Sequence, residues 1–122
     1  MLALVLHAHL PFVRHPEHPH HLEEHWLFEA ITDSYLPLLR VLFAAAERGT
    51  LFRCTVSLSP TLLSMLADPL LRARYLDYLG RRERLCEDEI SRYPPKSPLG
   101  ELARYYLTRL VDLRDFYSEA LG

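Results

Sequence analysis

Apolar residues gather first in a continuous run, Leu2 to Leu6, that ends at His7-Ala8-His9 and is stopped by Pro11. A short run without polar alternation is expected of a strand covered on both faces of a parallel sheet, although buried helix carries the same signature at this length. The pattern then vanishes: "PFVRHPEHPHHLEEH" holds three prolines and five of the seven histidines and has no apolar period, which predicts a long ordered loop. From about Glu24 the period returns as Leu27, Phe28, Ile31, Tyr35, Leu38, Leu39 and Leu42, the spacing of an amphipathic helix that ends at Gly49. Pro37 removes one backbone hydrogen bond from it and is expected to kink it.

In "LFRCTVSLSP" the period changes to two, with Phe52, Cys54, Val56 and Leu58 alternating with Arg53, Thr55, Ser57 and Ser59. This predicts a second strand whose apolar face packs on helices. Strand, helix and strand make a right-handed crossover with the two strands parallel. Beyond it, Ser59 caps a short helix with Pro60 in its first turn, and Asp68-Pro69 breaks the chain. Two longer helices follow, marked by Leu71, Tyr75, Leu79, Cys86, Ile90 and Tyr93 and by Leu99, Leu102, Tyr106, Leu110, Leu113 and Tyr117, with "YPPKSP" between them. Two parallel strands and about four helices define an α/β class. An isolated strand pair leaves unpaired edges on both sides, so the expectation is that residues 1–122 are the first part of a larger α/β domain.

Composition narrows the function classes. Fourteen basic residues against sixteen acidic ones, interspersed, give a formal charge of −2, which offers no electrostatic case for nucleic acid or an anionic membrane. The first residues lack a basic segment and a cleavage site, and no stretch reaches membrane-spanning length. Cys54 and Cys86 have neither metal-site nor disulfide spacing, so they are read as reduced thiols in a cytoplasmic protein.

The chemistry concentrates at His7 and His9. Alternation along a strand places both side chains on one face, at the carboxyl end where parallel α/β folds carry their sites, with Ser57 and Ser59 nearby on the second strand. Three readings are open: loop-entry histidines bonded to backbone, a metal chelate of the kind found in amidohydrolase barrels, or imidazoles that grip ligand hydroxyl groups. A metal needs further ligands, and the His15, His18, His20, His21 and His25 group reads as solvated surface on its irregular spacing.

"LALVLHAHLPFVRH", "EEHWLFEAITDSYLPLLRVL" and "VSLSPTLLSMLADP" resemble the amino-terminal region of glycoside hydrolase family 57, and within it the 1,4-α-glucan branching enzymes. The His-x-His-x-Pro element, His7, His9 and Pro11, matches the family's first motif; Trp-x-Phe-Glu-Ala, Tyr-x-Pro-Leu-Leu and Ser-Pro-Thr-Leu add to it. The likeness is strong to about Asp68. It implies a seven-stranded (β/α) barrel, a variation on the TIM barrel, completed by strands outside this segment, and a retaining mechanism without metal or cofactor. Its partner is an α-glucan such as amylose or glycogen. The resemblance implies that the glutamate nucleophile and aspartate acid–base lie on later strands, so no catalytic residue is assigned here. It also implies that His7 binds sugar at the cleavage subsite, with His9 beside it. Trp26, the only tryptophan, follows the long loop and is a candidate to stack on a glucose face, or else a core residue at a helix start. A metal-dependent amidohydrolase and a non-catalytic helical interaction domain remain the alternatives.

Overall fold

β1 (Leu4–Ala8) and β2 (Cys54–Leu58) pair in parallel, with Leu4 opposite Cys54, Leu6 opposite Val56 and His7 opposite Ser57. The computed structural model describes residues 3–18 and 21–121; Leu2 and His20, named above, lie outside them. Between the strands run α1 (Glu24–Ala30), a π turn (Ile31–Tyr35) and α2 (Leu36–Glu47), and after β2 come α3 (Pro60–Ala67), α4 (Pro69–Arg92) and α5 (Pro98–Leu121). With α1 and α2 joined through the π turn, the described residues hold two strands and four helical runs. The chain divides into two compact units, Met1–Arg72 and Ala73–Gly122.

In the first unit, the helical run departs from the spacing that the sequence predicts. Glu24, Leu27, Phe28, Ile31 and Thr32 are buried, and the next buried position is Leu36 rather than Tyr35. The reason is the π turn. The Leu36 N–H bonds to the Ile31 carbonyl, five residues back, which inserts one extra residue and moves the inward stripe by one position. Pro37 lies just beyond and cannot donate, so the disruption expected at the proline is taken up in the widened turn preceding it. The Thr32 hydroxyl donates to the Phe28 carbonyl at 2.7 Å within this turn. Leu39, expected inside, is exposed. The run stops where Gly49 takes φ +68° and its N–H bonds to the Ala46 carbonyl while that of Thr50 bonds to the Ala45 carbonyl, the left-handed glycine ending that the sequence predicts.

The helix starts rhyme in sequence. Ser59-Pro60, Asp68-Pro69 and Ser97-Pro98 each place an accepting side chain immediately before a proline that needs no hydrogen bond. Ser59 Oγ accepts from the Leu62 N–H at 3.2 Å, Asp68 Oδ1 from the Leu70 and Leu71 N–H groups at 2.9 and 3.1 Å, and Ser97 Oγ from the Gly100 N–H at 3.1 Å. Asp68 is therefore more than a chain break. Its other oxygen accepts from Arg14 Nε at 2.6 Å, tying the loop after β1 to the start of α4.

Burial pushes the Asp68 carboxyl up, but the N–H of Leu71, the Arg14 guanidinium and the N–H of Leu70 together outweigh it and hold the group below its ordinary value. Replacing Asp68 with alanine should cost about 0.5–2 kcal/mol, the range for loss of a helix cap. A group whose folded value is depressed stabilises above its unfolded value, 3.8, and loses that contribution as pH falls through the folded one. Denaturant melts of the wild type and Asp68→Ala should thus differ clearly at pH 7 and converge in acid; a constant difference at all pH values would rule out the charged cap.

In the second unit α4 and α5 lie side by side and antiparallel, with Tyr117 packed edge-on to Tyr75 at 4.8 Å and Arg114 paired with the largely buried Glu83 further along. Tyr75, Tyr78, Leu79, Ala103, Leu110, Leu113 and Tyr117 are buried. The predicted α5 stripe is correct only in its second half, since Leu99, Leu102 and Tyr106 are exposed and Ala103 takes the inward place. Burial pushes the Cys86 thiol up, helped by Glu83 and Glu87 against Arg82, so it is a poor nucleophile; Cys54 and Cys86 are both free.

The sheet is open to solvent. Phe52, Val56 and Leu58, expected to pack on helices, are 45%, 46% and 43% exposed, as are Leu4 and Val5 at 53% and 64%. Partial cover reaches only Leu6, Ala8 and Cys54 on the same face. The apolar side chains of both strands thus lie largely uncovered among the described residues.

Candidate active-site face at the strand ends

The parallel register places side chains of paired residues on a common face, so Val5 and His7 stand with Thr55 and Ser57, and the more shielded Leu6 and Ala8 with Val56 and Leu58. His7 Nδ1 and Ser57 Oγ share a hydrogen bond of 3.1 Å. His9 lies on the same side: its ring is 6.1 Å from that of His7 and inclined by only 12°. The two imidazoles therefore stand as nearly parallel plates at the carboxyl end of β1, both exposed, as the alternation of the sequence requires. Ser59 is nearby but otherwise employed. Its N–H donates to the Ala8 carbonyl at 3.1 Å, extending the strand pairing by one step, while its hydroxyl caps α3.

Ser57 fixes what His7 can offer. If the hydroxyl donates to Nδ1, Nε2 carries the ring proton and is a donor; if Nδ1–H donates to the hydroxyl, Nε2 is an acceptor. Either form suits a ligand hydroxyl, which both donates and accepts. Ser57 thus orients the ring through Nδ1, and among the described residues no hydrogen bond engages Nε2.

Trp26 belongs to α1 and not to the strand ends. Its neighbours Leu27 and Phe28 are buried whereas Trp26 is 51% exposed, which corrects the core reading of this residue and leaves its ring available at the surface. The loop histidines are also placed otherwise than their spacing suggests. His15 and His21 are half-buried, with rings 3.7 Å apart, and His15 Nε2 is 3.1 Å from Glu23 Oε2. The loop is held down at several points: Val13 is buried and its N–H donates to Met65 Sδ at 3.3 Å, Arg14 pairs with Asp68, and the His15 N–H donates to the buried Glu24 at 3.1 Å. Spacing could not reveal this, because the contacts come from α1, α3 and the cap of α4. Ser57 was the one partner of the site that strand alternation could locate.

No helix among the described residues is long and apolar enough to cross a membrane.

A parallel βαβ unit with polar side chains gathered at the carboxyl ends of its strands defines an α/β protein whose polar face lies where parallel folds carry their sites. The family model of glycosyl hydrolase family 57 matches residues 3–111, and the chain belongs to that family. It is 32% identical over 90 residues to the 1,4-alpha-glucan branching enzyme TK1436 of Thermococcus kodakarensis, which covers 73% of this chain and 13% of that protein. It is 37% identical over 70 residues to a probable 1,4-alpha-glucan branching enzyme of Mycobacterium tuberculosis, Rv3031, covering 57% of this chain and 13% of the other. Among solved structures, the alpha-amylase AmyC of Thermotoga maritima superposes with a TM-score of 0.89 at 35% identity, over 98% of this chain and 23% of that one. The branching enzyme of Pyrococcus horikoshii gives 0.86 at 32%, over 97% and 22%. The chain thus spans about an eighth of the curated relatives and under a quarter of the solved ones.

Proposed function

We propose that this chain forms the substrate-facing start of a (β/α) barrel that acts on α-glucans as a 1,4-α-glucan branching enzyme, cutting an α-1,4 linkage and rejoining the chain as α-1,6. What carries the reading is the His7 imidazole, held by Ser57 at the carboxyl end of β1 and flanked by the parallel ring of His9. That arrangement addresses hydroxyl groups of a sugar ring, and the curated relatives named above are described as branching enzymes. His7 acts at the cleavage subsite, His9 supports it, and the exposed ring of Trp26 stacks on a glucose face. The chemistry is a retaining double displacement, in which one carboxylate forms a glycosyl-enzyme and a second protonates the leaving oxygen and then deprotonates the acceptor hydroxyl. Both carboxylates belong to barrel strands that follow this segment, and neither step calls on a metal or cofactor. The free cysteines fit a cytoplasmic enzyme of carbohydrate metabolism.

The test is product analysis of the complete protein on amylose. Proton NMR of the products should show anomeric α-1,6 signals growing at the expense of α-1,4 with little rise in reducing ends. Reducing ends rising without new α-1,6 signals would replace branching by hydrolysis, the activity suggested by the name of the Thermotoga maritima neighbour.

A further inference from the structure

We infer that the loop between β1 and α1 carries a metal site made by His15, His21 and Glu23, separate from the His7–His9 face, which takes a divalent d-block cation such as Zn²⁺. The sequence expects no metal; the geometry of the loop differs from that expectation. Each of the three residues offers a ligand atom, and these atoms all lie within 4.8 Å of one another. Donors bound to one tetrahedral zinc stand about 3.3–3.6 Å apart, given metal–donor distances of about 2.0–2.2 Å. His15 Nε2 and Glu23 Oε2, at 3.1 Å, need part only slightly to reach that separation, and side-chain rotation brings in the third.

Three further features favour an ion. His15 is flanked by carboxylates at both nitrogens, with Nδ1 at 3.4 Å from Glu17 Oε1. When Nε2 binds a cation, Nδ1–H donates to Glu17, the carboxylate–histidine–metal relay that fixes the tautomer and orients the ring. The rings of His15 and His21 are 3.7 Å apart, which holds nitrogens of both side chains close together. His21 Nδ1 is buried without a hydrogen-bond partner among the described residues, a cost that a ligand set without its ion has to bear. The donors also sit on a braced frame, since the His15 backbone is bonded to Glu24, Arg14 to Asp68 and Val13 to Met65. Two imidazoles and one carboxylate are the donor types of zinc, cobalt and nickel rather than of calcium or magnesium. Water completes the coordination, and the ion clips residue 15 to residue 23, closing the loop that follows the histidine pair.

The experiment uses the complete protein with any polyhistidine tag removed. Competition with a chromophoric chelator should show one tight Zn²⁺ equivalent, and Co²⁺ in its place should give the intense visible bands of a tetrahedral site. His15→Ala and His21→Ala should each weaken Zn²⁺ by about 100-fold, and Glu23→Gln, which keeps size and hydrogen bonding, by at least about tenfold, exceeding or matching what loss of an outer partner costs. His18→Ala should bind as the wild type does. At the same Zn²⁺ concentration the melting temperature of the wild type should rise more than that of Glu23→Gln, whose circular dichroism reports whether it has folded. Weak binding at less than one equivalent, or equal affinity in wild type and Glu23→Gln, would mean an adventitious ion only and overturn the site.

Discussion

Replacing His7 with alanine in the complete enzyme should lower kcat/KM on amylose by about 100-fold, the low end of what removing one well-placed donor at a reacting centre costs. That loss corresponds to roughly 2.7 kcal/mol of transition-state stabilisation. Ser57 holds Nδ1 of the ring, and under the proposed function Nε2 would then meet the substrate in one geometry without reorganisation. Ser57→Ala should therefore do less, about fivefold, because it removes a single neutral hydrogen bond worth about 1 kcal/mol and leaves the imidazole in place. His7→Gln, which keeps a donor and an acceptor, should recover part of the activity. The melting temperatures of all three variants should stay near that of the wild type, since both side chains are exposed. Steady-state kinetics that show His7→Ala within twofold of the wild type would remove this residue from the substrate site.

Residues 1–122 expressed alone should show no branching of amylose and should unfold with weak cooperativity while retaining helical circular dichroism. No carboxylate of the described chain stands at the end of a strand: Glu23 and Glu24 open α1, Glu29 lies within it, and Asp68 caps α4. The strands expose Leu4, Val5, Phe52, Val56 and Leu58, so a hydrophobic dye should bind and self-association should set in at micromolar concentration. The four helical runs supply the residual order. Branching by the segment above that of a His7→Ala control would place the chemistry in residues assigned here to binding and structure.

Much of the local structure was legible because it depends on neighbours in sequence. The serine and glycine that bound the helices satisfy backbone groups two to five residues away, and no distant partner is needed to predict that Ser59 caps α3 or that Gly49 ends α2. The two-residue period of β2 likewise anticipated that Ser57 would face the histidines. Trp26 shows where this stops. A tryptophan at the start of an amphipathic helix suits the core as well as the surface, and only the fold turned Leu27 and Phe28 inward and left Trp26 half exposed. The π turn is a similar case: one inserted residue exchanges Tyr35 for Leu36 at the buried position, and a composition compatible with either gives no warning.

By itself, then, the sequence determined the parallel βαβ unit, the helix boundaries and the common face of His7 and His9, all set by periodicity and by capping over a few residues. Tertiary structure alone decided which apolar positions became core, which side chains meet across the long loop and how His15, His21 and Glu23 converge. Those outcomes depend on elements brought together from α1, α3 and the start of α4, where Met65, Asp68 and Glu24 anchor a loop that has no period of its own. A segment whose order comes from such long-range anchors carries no local signature of it, because each anchor is an ordinary residue until the fold sets it beside its partner.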